Sequence, residues 1–172
     1  MMDEAVAILE RTPPILDALL RTLPQAWIHV HEGDTTWSPF EVVGHLILGE
    51  RTNWMPRARI ILDRGASQVF DEFKRYPKFA HADQRTLPSL LDEFAAARTD
   101  SLQLLRQIQP ADLDRQGQHP ALGVVTLRQL LSAWVVHDLD HLSQISRVLA
   151  HQYTDEVGPW RQYLRIVRDP AH

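Results

Sequence analysis

The chain has 172 residues, 44% of them hydrophobic and 23% charged, with a net charge of −4 at neutral pH and no cysteine. This length and balance fit one globular domain spanning 1–172, large enough to bury a core without cross-links. An acidic chain without a basic run matches a phosphate backbone poorly, so no nucleic-acid partner is expected, and the missing thiols exclude disulfides, a thiolate zinc site and a cysteine nucleophile.

The opening, MMDEAVAILERTPP, lacks the basic start and long apolar core of a signal peptide. No run of about 18 apolar residues occurs to span a membrane, so the expected location is the cytoplasm. From about Asp3 to Thr22 the apolar residues Val6, Leu9, Leu16, Leu19, Leu20 and Leu23 recur close to helical spacing. Pro13 and Pro14 should kink or split this helix near Arg11, because proline lacks the donor and clashes with the preceding turn. The polar connection PQAWIHVHEGDTTW follows, with room for a short extended piece at Trp27–Val30.

Ser38 then gives the strongest helix start in the chain. Pro39 suits the first helical position, and Glu41 stands three residues after the serine as a capping box. Phe40, Val43, Ile47, Trp54, Ala58 and Ile61 continue the apolar stripe to a stop near Asp63–Gly65. Residues 66 to 85 have no period, and a connection this long is explained if it crosses the bundle. A third helix is predicted from Leu87 to Gln107. Residues 110–125 read as a second connection, broken by Gly117, Pro120 and Gly123. Thr126, with Gln129 three residues on, caps a fourth helix that runs to about His151. A final short helix is predicted over Trp160–Val167. The architecture is therefore all-α: a four-helix bundle with a long crossover between helices 2 and 3, plus a short C-terminal helix.

The chemistry gathers on histidines. His137 and His141 are four apart, which stacks their rings on one helix face where two imidazoles can share a metal. Trp134, His137, His141 and Gln144 follow one side of that helix, close to its apolar stripe. The segment reads HDLDH, without a glutamate after the first histidine, so a zinc-protease helix is a poor match. His45 lies in an apolar stretch of the second helix, and Gly44 beside it permits close approach of a neighbour. Each histidine alone also reads as a hydrogen-bonded core residue; the i,i+4 pair and a third histidine on another apolar helix favour a metal. Asp138 and Asp140 are expected to face solvent or to accept a ring proton from a ligating histidine. Glu41, one turn before His45, is a possible general base, though it reads more simply as a cap. His29 and His31 flank Val30, so one of them can reach the mouth of the site. His81, His119, His151 and His172 are expected at the surface, and Trp37 and Trp134 as candidate walls of a pocket.

Three segments taken together look familiar. WSPFEVVGHLILGE, HDLDHLSQISRVL and GPWRQYL resemble, in order and spacing, the DinB/YfiT-like superfamily. The resemblance implies a metal site at His45, His137 and His141, with nickel or zinc as the usual ion. It also implies a homodimer and a metal-dependent enzyme acting on a small molecule, as a hydrolase or a thiol-dependent S-transferase. Without cysteine, any low-molecular-weight thiol must come from outside the chain. The alternative is a metal-stabilised stress or ligand-binding bundle without turnover.

Overall fold

A computed structural model describes residues 2–73 and 85–167. Its helices are α1 (Met2–Leu9), α2 (Thr12–Leu20), α3 (Gln25–Ile28), α4 (Pro39–Thr52), α5 (Trp54–Arg64), α6 (Leu87–Leu105) and α7 (Leu127–His151). A two-stranded antiparallel sheet pairs β1 (Gln116–His119) with β2 (Gly123–Thr126). Four helical columns form the bundle: α1 with α2, α4 with α5, α6, and α7.

The N-terminal column splits where the prolines require it. Pro13 would have offered its N–H to the Leu9 carbonyl in a continuous helix, and it has none. That carbonyl instead accepts from Arg98 Nη1 at 2.8 Å. The second column breaks too, at Asn53, which the apolar stripe alone does not reveal. Pro56 cannot bond the Thr52 carbonyl and its ring crowds it, so α4 ends at Thr52 and α5 begins at Trp54. The start of α4 is as predicted: Ser38 Oγ accepts from Glu41 N at 3.3 Å, and Glu41 Oε2 accepts from Ser38 N at 2.8 Å. Thr126 and Gln129 form the matching box on α7.

Three local expectations are corrected. Trp27–Val30 is not extended; Gln25–Ile28 makes one helical turn that buries Ile28. The connection after α6 contains the β1–β2 hairpin, with Gly123 at φ 75° in its turn. Gly117 in β1 is required by crowding, since a Cβ there would stand 2.6 Å from Ile61 Cγ1 and 2.7 Å from Phe70 Cζ. The final helix is replaced by 3₁₀ turns at Gly158–Tyr163 and Arg165–Val167. Trp160 and Tyr163 are exposed and only Val167 is buried, too little apolar surface to hold a short helix together.

Helix direction follows from the contacts. Arg51 pairs with Glu93, and Glu50 with Arg98, while Val42 and Val43 share a cluster with Leu87 and Leu90. Thus α4 and α6 run parallel, and the chain must return the length of the bundle between them. Residues 74–84 of that crossover lie outside the described residues, as do His81 and His172. On the other side, Trp54 stacks on Trp134 while His45 meets His141, so α4–α5 and α7 are antiparallel.

The apolar core is in two parts. One holds Leu16, Leu20, Val43, Ile47, Leu90, Phe94 and Ile145; the other holds Leu9, Ala58, Ile61, Leu102, Leu105, Leu131 and Trp134. Thr12, Glu50, Arg98, Asp138 and His141 fall between these sets along each column, and all are buried. No described helix is long and apolar enough to cross a membrane.

Candidate metal centre

His45 on α4 and His137 and His141 on α7 point to one spot. His137 Nε2 lies 3.0 Å from His45 Nε2 and 3.1 Å from His141 Nε2. Among the described residues, these three are the group of metal-type side chains brought close enough to share an ion. His45 and His141 are buried and His137 half-buried. Two nitrogens held by one ion at about 2.0–2.1 Å stand roughly 2.8–3.4 Å apart for bond angles between octahedral and tetrahedral. The two spacings from His137 fall in that window, and all three ligand atoms lie within 4.8 Å of one another.

Hydrogen bonding alone satisfies this arrangement poorly. His141 Nδ1 faces Gln144 Oε1 at 2.8 Å and donates to it, which leaves the lone pair on Nε2. His137 Nε2 has at most one hydrogen to share between two neighbouring nitrogens. A divalent cation would accept all three lone pairs at once, so the donor set fits one. Burial pushes the His141 imidazole below its ordinary value, with Gln144 acting the other way, which favours the neutral form a metal needs.

Aromatic rings wall the site. Trp37 lies 4.4 Å from the His45 ring and stacks near His141 at 5.9 Å. Trp54 sits edge-on to His137 at 5.0 Å, and Phe73 edge-on to His45 at 5.7 Å. The site opens into a cavity of about 570 Å³, also lined by Thr35, Thr36, Asn53, Asp140 and Gln144. Trp37 is the wall that was expected. Trp134 is not part of the lining; it is fully buried against Trp54.

Other candidates are placed elsewhere. Glu41 is committed to its cap, where Oε2 accepts from both the Ser38 backbone and the Ser38 hydroxyl at 2.8 Å. His31 bonds the Thr36 carbonyl through Nδ1 at 2.7 Å, and His29 faces Gln25. His119 Nδ1 accepts from Ala121 N and Leu122 N in the hairpin turn. His151 stands 3.4 Å from Glu32.

Asp138 corrects the expectation most sharply. It neither faces solvent nor serves a ligating ring: it is fully buried, and its Oδ2 accepts from Arg98 Nη1 and Thr12 Oγ1, each at 2.6 Å. Arg98 also donates to Glu50 Oε1 at 2.7 and 2.9 Å. Burial pulls the Arg98 guanidinium down, but Asp138 and Glu50 outweigh it and the net direction is up. The Glu50 carboxyl is raised, because burial outweighs the pull of Arg98. Arg98 and Glu50 went unnoticed in the sequence, where each resembles an ordinary charge on a helix surface.

The DinB superfamily model matches residues 8–145, which include all three histidines. The chain belongs to the DinB superfamily. Its fold resembles that of YfiT from Bacillus subtilis, described as a probable metal-dependent hydrolase with an unusual four-helix bundle topology. That likeness has a TM-score of 0.77 at 19% identity, over 88% of this chain and 87% of YfiT. TT2238, described as a four-helix bundle protein, aligns with a TM-score of 0.61 at 22% identity, over 85% of this chain and 98% of its own. No curated protein sequence matches significantly.

Proposed function

We propose that this member of the DinB superfamily is a metal-dependent enzyme of the cytoplasm, with nickel or zinc held by His45, His137 and His141. The observation that carries the reading is the pair of Nε2 spacings, 3.0 and 3.1 Å, at the floor of an open cavity. Three protein ligands leave a position for a reacting group, which is the pattern of a catalytic site. Hydrolysis of a small molecule is the first reading, since the fold neighbour YfiT is described as a probable metal-dependent hydrolase. Transfer to a low-molecular-weight thiol is the second, and that thiol must come from outside this cysteine-free chain.

A divalent ion in this place would supply Lewis acidity, which lowers the pKa of water or of a thiol towards neutrality. The chain's own groups do the rest. Gln144 fixes the His141 tautomer and ring orientation. Trp37, Trp54 and Phe73 pack against the histidine rings and hold them in place beside the cavity. Asp140, an exposed carboxylate on the cavity lining, is the proton acceptor in this reading; Asp140→Asn should reduce turnover with metal still bound, and unchanged turnover would remove it from that role. A homodimer belongs to the same proposal: Val136 and Leu139 expose apolar surface on the outer side of α7, and light scattering that returned a monomer would refute it.

Elemental analysis of untagged protein tests the centre. About one nickel or zinc per chain is expected, lost in His45→Ala, His137→Ala and His141→Ala. Protein that stays metal-free after supplementation, with the variants merely less stable, would make these core histidines. Metal binding with no turnover of water- or thiol-dependent substrates would favour a metal-stabilised binding bundle.

A further inference from the structure

Arg57 on α5 is only 7% exposed. Its guanidinium lies over the Phe70 ring, with Cζ 5.3 Å from the ring centroid. Nη2 donates to the main-chain carbonyl of Asp71 at 2.9 Å, while Nε is buried without a hydrogen-bond partner. Burial pulls the Arg57 guanidinium below its ordinary value, and the Asp71 charge acts the other way. Arg98, by contrast, is bonded by two carboxylates. A buried cation held by a carbonyl and a ring costs stability that an apolar side chain of similar length would not. What Arg57 holds accounts for its presence.

It holds the first residues of the crossover. Phe70 is 3% exposed, and its N donates to the Gln118 carbonyl of β1 at 2.9 Å. Gly117, next to Gln118, leaves the space that the Phe70 ring fills. The hairpin and Arg57 thus grip consecutive residues, Phe70 and Asp71. From Asp71 to Phe73 the chain has neither helix nor strand. Among the described residues, the Arg57 bond is the last main-chain tie before Phe73. Two residues span at most about 7 Å, so the Asp71 carbonyl decides where Phe73 can stand. Phe73 stands edge-on to His45 at 5.7 Å and lines the histidine cavity, whereas Arg57 is not in that lining.

Resting on the metal reading above, we infer that Arg57 is a positioning residue: by holding the Asp71 carbonyl it keeps Phe73 against His45, and Phe73 sets how wide a group can enter beside the histidines. Selection here is by shape, in favour of a slender reacting group over one flanked by an aromatic ring. Arg57 takes no part in binding the ion or in moving a proton. Arginine suits the task because its planar face covers Phe70 while one N–H meets the carbonyl, two contacts that a compact ammonium or a thioether does not make together.

The probes are imidazole and 1-phenylimidazole, which bind a metal through the same ring nitrogen and differ in width. Their affinities are measured on the cobalt-loaded protein by its visible spectrum, and the ratio of the two is the readout. Phe73→Ala should shift that ratio towards 1-phenylimidazole by about tenfold, the scale of discrimination in an apolar pocket. Arg57→Met should shift it in the same direction by a comparable factor, with cobalt content equal to wild type. The double variant should shift it no further than either single one, because Arg57 acts through Phe73. A merely structural arginine would lower the melting temperature of Arg57→Met and leave the ratio as in wild type, and that result would overturn the inference while the metal reading stands. Shifts that add in the double variant would overturn it too. Failure of the wild type to take up cobalt would overturn both readings. If Arg57→Met does not fold, Arg57→Gln carries the same measurement, and unfolding of both would make Arg57 a structural residue and refute the assignment.

Discussion

Glu50, Arg98 and Asp138 share the middle layer of the bundle with His45, His137 and His141, and α4 and α7 contribute to both groups. Asp138 even follows His137 directly. The carboxylate–guanidinium group is closed to solvent: its side chains are at most 1% exposed and the cation is bonded on both flanks, with Glu50 Oε2 alone left without a hydrogen-bond partner. The histidine group faces a cavity, and its nitrogens face one another. One cluster finds its charged partners within the chain; the other, in the reading proposed above, would offer its lone pairs to a cation from outside. A buried polar group is thus not a functional signal by itself; what distinguishes the histidine site is three nitrogens converging on one point beside a cavity.

The sharpest way to break this comparison is to open the closed cluster. Arg98→Met leaves two carboxylates in the core, and should lower stability by about 3–5 kcal/mol in denaturant titrations. Replacing Glu50, Arg98 and Asp138 together by apolar residues of similar volume should recover most of that loss, since no charge is then stranded. If the triple variant were as damaged as the single one, the cluster would be more than a satisfied ion pair. Next in size is the orienting bond on the open side. Gln144→Leu should weaken metal affinity about 10- to 100-fold in competition with a chelator, without changing the ligands. Affinity equal to wild type would show that the His141 tautomer needs no partner.

The smallest effect concerns pH. The folded pKa of Glu50 lies above its unfolded value, so its contribution to stability is full below about 4.5 and declines as pH rises through the folded value. Glu50→Gln imitates the protonated form. Thermal midpoints of this variant should vary less with pH over that window than those of wild type, and an identical slope would show that Glu50 folds as an ordinary carboxylate.

These two clusters were unequally legible in the sequence. His137 and His141 carry their relation in a four-residue spacing, and His45 is unusual among apolar neighbours. The helix starts at Ser38 and Thr126 were equally plain, because a cap is a local hydrogen-bond arrangement. Arg98 meets Glu50 and Asp138 across 48 and 40 residues, and no local pattern marks such a meeting. The break at Asn53 had a visible cause in Pro56, but the apolar stripe continues across it and hides it. The hairpin after α6 is short and mostly polar, and was masked by its own glycines. The C-terminal turns bury Val167 alone and leave Trp160, Tyr163, Leu164 and Ile166 exposed, an outcome that no sequence window displays.

The parallel course of α4 and α6 has a consequence for how such a protein can diversify. Chain reversal over the length of the bundle demands a long connection whatever the chemistry, and the described start of that connection brings Phe73 against His45. A segment that topology makes compulsory thus supplies part of the lining of the histidine cavity. Length changes in such a connection cost little in chain entropy, so the choice of guest can drift there while the helices that carry the histidines stay as they are.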